Sequence, residues 1–265
     1  MKKFFEFVVA FGGVIALFFG AHTYLMGELE DLVKEKLQPY QKLLIAQTMY
    51  NEDVAIRAYE YALTGLEKQE VEGDLIAAVV NPFLEAISNS DMPYMYEHHT
   101  NRLSKLVGVK FPLDYDNARS LGWIYLYTDK NDKAQEYFNK SISLYKQAGL
   151  LENASDAYRG LQFSFLASGN LIEAINANEK MWSINYDEYY NPQATVWLDH
   201  NNISWMKQLY KLYPDMEKNY LGLISYLNVV YELSPKIKSK PIDTMLVEKI
   251  LAGDYSLNKV INSDS

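Results

Sequence analysis

Two short clusters of ionisable residues are the places in this chain where residue types alone suggest chemistry. Glu97, His98 and His99 are adjacent and carry side chains that ligate zinc, and Asp199 followed by His200 resembles two members of a nucleophilic triad. Neither cluster is complete, because the His-Glu-x-x-His spacing of a zinc helix and the serine elbow of a hydrolase are both missing. We therefore expect no catalytic residue, no metal and no cofactor, and interpret both clusters as solvated loop or helix-end residues.

Other catalytic classes lack their motifs as well. The sequence contains no phosphate-binding glycine loop and no dinucleotide fingerprint. The enzymatic alternative is a superhelical lytic enzyme of the cell wall, but that class needs a catalytic glutamate domain for which this sequence has no motif. The chain has no cysteine, which excludes disulfides, thiolate catalysis and cysteine-ligated zinc.

The charge balance narrows the class of partner. The 265 residues include 25 basic and 34 acidic ones, a formal net charge of −9. Nucleic-acid binding needs a basic surface, and flat docking on anionic lipid needs basic residues too, so both are disfavoured. Of the remaining macromolecular partners, we expect protein.

The N-terminal segment, residues 1–26, predicts a membrane anchor. Two lysines precede an apolar run over residues 7–21, and residues 4–26 are long enough to cross a hydrocarbon core of ~30 Å. The lysines favour a cytoplasmic N-terminus, which places the body outside the cytoplasmic membrane and, in a bacterium, in the periplasm. Gly12, Ala16 and Gly20 share one helix face, as in close-packed membrane helices. The alternative is a cleaved signal peptide, although Phe19 occupies a position where its cleavage site needs a small residue.

A short amphipathic segment follows the predicted anchor. Leu25, Leu29 and Leu32 lie at i, i+4 and i+7, which predicts a helical stalk over residues 27–40. Pro39 is expected to interrupt that helix, and Pro82, after Asn81, is expected to break or kink a later one. A stalk of this kind could pair with a second copy of the chain, but its short length makes it weak evidence for a coiled coil.

A pattern of apolar and small residues occurs twice at a constant offset. The first copy is Ala118-x2-Leu121-Gly122-x2-Tyr125 followed by Ala134-x3-Phe138; the second is Tyr158-x2-Leu161-Gln162-x2-Phe165 followed by Ala174-x3-Asn178. In each copy the pattern predicts two helices joined by a tight turn. The predicted helices cover residues 115–127, 133–147, 152–167 and 171–184.

These residues resemble the tetratricopeptide repeat family, whose pattern is W-x2-L-G-x2-Y followed by A-x3-F. The resemblance is good over residues 115–188 and partial over 41–68. It departs from the family pattern at Gln162, which replaces the glycine, and at Asn178, which replaces the later aromatic residue. The offset between the copies exceeds the ~34 residues of the family, which implies a longer second helix or linker. The expected fold is therefore all-α, a transmembrane helix followed by a tetratricopeptide-like array of helical hairpins, a right-handed α-solenoid, over residues 41–253, with a polar tail over 254–265.

The resemblance also implies a binding surface. In the family, the first helices of successive repeats line a groove that binds an extended peptide or a helix of a partner. The matching positions here are Arg119, Trp123, Arg159, Gln162 and Phe163. The lysine, asparagine and arginine clamp of the chaperone-tail binders is not assembled in this sequence, so that subtype is not expected.

Three functions are consistent with these observations. The first is a membrane-tethered adaptor or scaffold that binds protein partners and supports assembly of an envelope complex. The second is a soluble exported module that binds a peptide or protein after its leader is removed. The third is an accessory subunit of a larger membrane machine, or of a homo-oligomer, whose anchor packs through Gly12, Ala16 and Gly20.

Overall fold

A computed structural model describes residues 2–49, 51–69, 71, 73–90, 93–185, 204–231 and 242–253. At residues 2–23, 33, 185, 204, 205 and 231 it describes the backbone alone. Over these ranges the protein is all-α, as predicted, and the described residues contain one isolated bridge, between Val107 and Phe111, but no strand.

Eleven helices are present in the described part of the chain. They are α1 (Lys2–Thr48), α2 (Glu52–Lys68), α3 (Gly73–Asn89), α4 (Glu97–Leu106), α5 (Tyr115–Tyr127), α6 (Asn131–Gln147), α7 (Ser155–Ala167), α8 (Leu171–Asn185), α9 (Ser204–Leu212), α10 (Met216–Tyr231) and α11 (Thr244–Leu251). Short 3-10 turns at Pro93–Tyr96 and Leu151–Asn153 precede α4 and α7. The helices pack largely as pairs that are consecutive in the sequence.

The chain divides into two compact units, Met1–Val79 and Val80–Ser265. The first contains the pair formed by α1 and α2, and α3 begins in it. The predicted boundaries at residues 26 and 40 both fall inside α1, which is one continuous helix of 47 residues.

The prolines do not end their helices, so the interruption expected at Pro39 is wrong, and of the break or kink expected at Pro82 the break is wrong. A proline inside a helix removes one hydrogen bond and costs ~3 kcal/mol, so packing must offset that cost. Pro39 is buried, and its ring lies against Gly65 of α2, where an added Cβ would approach its Cγ to 2.4 Å. In α3 the side chains of Phe83, Leu84 and Ile87, just after Pro82, are fully buried. In both helices burial of apolar surface provides the compensation.

The two predicted hairpins form the centre of the second unit. The first helices begin at Tyr115 and Ser155, and the second helices at Asn131 and Leu171, so both members of the pair recur at the predicted offset. The extra length is found in α6, which has 17 residues, and in the connection to α7 with its 3-10 turn.

Phe138 of α6 holds three helices together. Its ring is fully buried against Gly122 of α5 and Gly160 of α7, at which an added Cβ would lie 2.6 Å and 2.2 Å from ring carbons. The glycines therefore let both first helices approach the same ring. The sequence pattern identified Gly122 but not Gly160.

The α9–α10 pair caps the two hairpins. The Tyr213 hydroxyl donates to the Leu126 carbonyl oxygen at 2.9 Å, and Asn219 Nδ2 donates to the Leu166 carbonyl oxygen at 2.9 Å. These carbonyls lie in the last turns of α5 and α7, where intrahelical donors run out. The two bonds fix the C-terminal ends of the first helices, and with them the surface that lies between these helices.

Candidate partner-binding cavity

A cavity of about 390 Å³ lies between α5, α7 and the end of α3, and we name it the α5–α7 cavity. Its lining residues come from three short stretches. They are Ser88, Asn89 and Ser90 from the end of α3, Arg119, Trp123 and Tyr127 from α5, and Asp156 and Arg159 from α7. The α5 residues are spaced by four and the α7 residues by three, which places each set on one face of its helix.

Trp123 is held in place by a hydrogen bond and by a contact with another aromatic ring. Its indole Nε1 donates to Asp156 Oδ2 at 2.9 Å, across from α5 to α7. The ring packs edge-on against Phe138, with centroids 5.3 Å apart, and 9 % of the residue stays exposed. The tryptophan thus presents a narrow, rigid apolar edge to the cavity.

Arg119 lies between two carboxylates. Its Nε is 3.6 Å from Asp156 Oδ2 and its Nη2 is 3.6 Å from Asp116 Oδ1, while 23 % of its side chain is exposed. These separations are longer than those of a bidentate arginine–carboxylate pair, which are ~2.8 Å. Asp156 therefore orients Trp123 and Arg119 together, and Arg119 keeps capacity for a closer acceptor.

Arg159 and Tyr127 complete the polar wall. The Arg159 guanidinium carbon lies 5.7 Å from the centre of the Phe163 ring, which is within cation–π distance. Burial raises the pKa of Tyr127 far above its ordinary value of 10.0, and the charge of Arg159 offsets this only in part. The phenol of Tyr127 is therefore neutral over the whole physiological range.

Two arginines line the cavity of an otherwise acidic protein. Arg119 and Arg159 are its cationic lining residues and Asp156 is the carboxylate among them, while Asp116, next to the lining, also lies beside Arg119. Guanidinium groups bind carboxylates and other planar anions well. The arrangement is suited to holding an acidic side chain beside an aromatic edge.

Two of the five predicted groove residues do not line this cavity. Phe163 is fully buried and stacks on Tyr220 of α10, with centroids 5.8 Å apart. Gln162 is 1 % exposed, and its Oε1 accepts from Asn178 Nδ2 at 2.7 Å. Both side chains belong to the core of the second unit, so in this structure neither offers a surface to a partner.

The other three predicted residues, Arg119, Trp123 and Arg159, come together in the cavity. Sequence reasoning missed Tyr127 and Asp156, although Tyr127 follows Trp123 by one helical turn and so has a periodicity signal. The three residues from α3 had no such signal, because their approach depends on tertiary packing.

The remaining residues singled out in the sequence have separate locations. His98 is exposed, as expected, but the expected solvation of His99 is wrong, because its ring is buried against Phe83 with ring centroids 5.4 Å apart. Asp199 and His200 lie outside the described residues. Gly12, Ala16 and Gly20 lie in the part of α1 for which the structure describes the backbone alone. Among the residues whose side chains are described, no helix is both long and apolar enough to cross a membrane. Residues 1–23 of the predicted anchor are not among them.

Comparisons of this chain with known protein families, with curated proteins and with solved structures found no match.

Proposed function

We propose that this protein is a membrane-tethered adaptor with a tetratricopeptide-like, right-handed array of helical hairpins that binds a protein partner and supports assembly of an envelope complex. The observation that carries the proposal is that Arg119, Trp123 and Arg159, from the first helices of two successive hairpins, line one cavity. A surface formed jointly by consecutive repeats is the usual binding surface of helical arrays.

The cavity favours a segment of protein as its ligand. Its volume of about 390 Å³ suits one or two side chains, and its carboxylate, Asp156, already contacts Trp123 and Arg119. The serine hydroxyls of the lining, on Ser88 and Ser90, donate to backbone carbonyl oxygens of α3, so they are not paired with the base that nucleophilic chemistry on a substrate would need. A glutamate or aspartate of an extended partner segment would enter between the two arginines, and its neighbours would pack on the tryptophan edge.

The tether adds affinity without adding contacts. An anchor within residues 1–26, packed through Gly12, Ala16 and Gly20, would confine the array to one membrane face, with the N-terminus cytoplasmic and the body outside. Confinement of this kind raises the effective concentration of a membrane-bound partner to about millimolar. A modest cavity then suffices for stable assembly.

Affinity capture from native membranes tests the cavity. The variant Arg119→Glu/Arg159→Glu is compared with Lys146→Glu/Lys180→Glu, which makes the same change of charge at exposed positions of α6 and α8. We expect the arginine variant to lose its stoichiometric partner by about tenfold or more, equivalent to ~1.4 kcal/mol, while the lysine variant retains it. Equal recovery by both variants, each with the wild-type circular dichroism spectrum, would remove the cavity from the proposal.

Intact mass spectrometry of the protein from native membranes tests the tether. The proposal expects the full mass of the chain. A loss of about 21 residues would identify a cleaved signal peptide and would support the soluble exported module instead.

A further inference from the structure

A polar network joins α3 to the N-terminal end of α5. Its members are Asn81 in α3, Asp114, which precedes α5, and Asn117 in the first turn of α5. Asn81 Nδ2 donates to Asp114 Oδ2 at 3.2 Å, and Asn117 Nδ2 donates to Asn81 Oδ1 at 2.9 Å and to Asp114 Oδ2 at 3.0 Å. Each of the three side chains is therefore bonded to the other two, although Asn81 lies 33 residues before Asp114 in the chain.

The network holds a partly buried charge as well as a helix end. Asp114 is the N-cap of α5, and its Oδ1 accepts from the backbone N–H of Asn117 at 2.7 Å. Burial raises the pKa of the Asp114 carboxyl, and the Asn117 N–H lowers it because that bond favours the charged form. Asn117 itself is 1 % exposed. Removing the amide of Asn81 would leave these polar groups short of a partner in a place that water reaches poorly, which is costly.

The network and the α3 wall of the α5–α7 cavity lie on one face of α3. Ser88 follows Asn81 by seven residues, which is two helical turns, so the two side chains share a face and lie ~10 Å apart along the helix. Ser88 lines the cavity together with Arg119 and Trp123 of α5. The same face of α3 thus meets the start of α5 through Asn81 and the cavity through Ser88.

The hydrogen bonds made by the serines of the wall are local. Ser88 Oγ donates to the Glu85 carbonyl oxygen and Ser90 Oγ to the Ile87 carbonyl oxygen, each at 2.9 Å, and both acceptors belong to α3. These bonds move with the helix. The wall therefore takes its position from the contacts that fix α3.

Apolar packing and the network constrain α3 in different ways. Phe83, Leu84 and Ile87 are fully buried, which keeps this part of α3 in the core of the second unit. Burial of apolar surface is non-directional, so it resists sliding or rotation of a helix less strongly than separation, whereas hydrogen bonds are directional. Pro82 removes one hydrogen bond of α3 directly after Asn81, so the last two turns are less firmly joined to the residues before it. The bonds of Asn81 therefore fix the register of these turns against α5.

We propose that Asn81 is a positioning residue for partner binding, which fixes the register of α3 against α5 through Asp114 and Asn117 and so places residues 88–90 at the α5–α7 cavity. The effect on binding rests on the proposed function of that cavity. The position of the wall does not, because it can be measured in the protein without a partner.

An exchange of the amide and the carboxylate tests the network. Asn81→Asp sets a second carboxylate against Asp114, and at about pH 8, well above the ordinary pKa of aspartate, the two like charges repel each other. In Asn81→Asp/Asp114→Asn the carboxylate at position 81 accepts from the amides at positions 114 and 117, and α5 keeps its cap because asparagine and aspartate cap helices equally well. Asn101→Asp adds the same charge at an exposed position of α4 and is the control. Asn81→Ala removes the link without adding charge, and it takes the place of Asn81→Asp if that variant lacks the wild-type circular dichroism spectrum.

The distance between spin labels at Asn89→Cys and Asn139→Cys reports the position of the wall, because the chain has no cysteine of its own and both positions are exposed. In the full-length protein in mild detergent, we expect one narrow distance distribution for the labelled wild type and for Asn101→Asp. Asn81→Asp should shift the mean distance by ~1.5 Å or more, at least one residue of helical rise, or broaden the distribution about twofold, and the exchanged pair should restore it. An unchanged distribution in Asn81→Asp and Asn81→Ala, or a shift that the exchange does not reverse, would overturn the proposal.

Affinity capture from native membranes links the position of the wall to binding. We expect Asn81→Asp to recover about a tenth or less of the partner that the wild type recovers, and the exchanged pair to recover it fully. A wall that moves while capture stays unchanged would overturn the role of Asn81 in binding. If the wild-type chain captures no partner, the adaptor function fails instead, and the spin-label distances still decide whether Asn81 positions the wall.

Discussion

The two hairpins of the second unit close in chemically different ways at equivalent positions. In the first hairpin Gly122 of α5 meets the ring of Phe138 of α6. At the same two positions of the second hairpin, Gln162 of α7 meets Asn178 of α8 through a buried hydrogen bond of 2.7 Å. Each residue that departs from the repeat pattern thus compensates for the other. We call the place where the two helices of a hairpin touch the helix crossing. The comparison teaches that a crossing needs a complementary pair of residues, apolar or polar, rather than one particular residue.

The two crossings also differ in what they do beyond their own hairpin. Phe138 additionally contacts Gly160 of the following hairpin, so its ring joins the two repeats. The Gln162–Asn178 bond is within one hairpin. Removing the first crossing should therefore cost more than removing the second.

The largest effect is expected for Phe138→Ala. The change leaves a cavity where three helices meet, and burial of this kind is worth about 3–5 kcal/mol of the free energy of unfolding. Chemical denaturation followed by circular dichroism measures this free energy. The control is Tyr137→Ala at the half-buried neighbouring position, for which we expect a loss of ~1 kcal/mol or less. Similar losses for both variants would contradict the joining role of Phe138.

The next largest loss of stability is expected for Gly160→Ala. This change adds a methyl group to α7 at the place where the Phe138 ring of the first hairpin packs. With its Cβ 2.2 Å from a Phe138 ring carbon, the ring or helix α7 must shift, and overpacking of this kind costs about 2–3 kcal/mol. Gly27→Ala in α1 has no heavy atom within 4 Å of the added Cβ and should instead stabilise the helix slightly. Combining Gly160→Ala with Phe138→Leu should recover part of the loss, and a purely additive double variant would show that the two residues do not touch.

A double-mutant cycle tests the buried hydrogen bond between Gln162 and Asn178. Gln162→Leu and Asn178→Leu each remove one end of a buried hydrogen bond, which costs about 1–3 kcal/mol because the other polar group stays buried. The double variant replaces both ends by apolar groups and should lie within ~1 kcal/mol of the wild type. If the two single losses simply add, the residues are not a compensating pair.

The smallest effect concerns the turns within the hairpins. Asp129 in the first turn has φ 57°, and Gly169, at the equivalent position of the second turn, has φ 75°. The left-handed conformation costs a residue with a side chain about 1 kcal/mol, so Asp129→Gly should stabilise the first hairpin by ~0.5 kcal/mol or slightly more. Gly169→Ala should destabilise the second by ~1 kcal/mol, and the reverse signs in thermal melts would contradict equivalence of the turns.

The sequence allowed the hairpins to be predicted because their signals are local. Small and apolar residues at fixed spacing gave the repeat and the bounds of α5, and helical spacing placed Arg119 and Trp123 on one face. The rest depended on contacts distant in sequence. Helix α1 continues through Pro39 because Gly65 accommodates its ring, and Gln162 is buried because Asn178 satisfies it.

The cavity shows the same division. Two of its walls come from repeat positions, but the third consists of Ser88, Asn89 and Ser90, well before α5 in the chain, where no pattern in the sequence indicates a binding surface. These residues also give the most useful probe, because Asn89 is exposed at the rim.

Site-specific photo-crosslinking from Asn89 in native membranes tests the central claim most directly. A benzophenone amino acid is placed at Asn89, and at exposed Asn139 of α6 as the control position. The adaptor account predicts one discrete protein adduct from position 89 that disappears in the Arg119→Glu/Arg159→Glu background, and none from position 139. An adduct that survives the loss of both arginines, or no adduct at position 89, would contradict partner binding at the α5–α7 cavity.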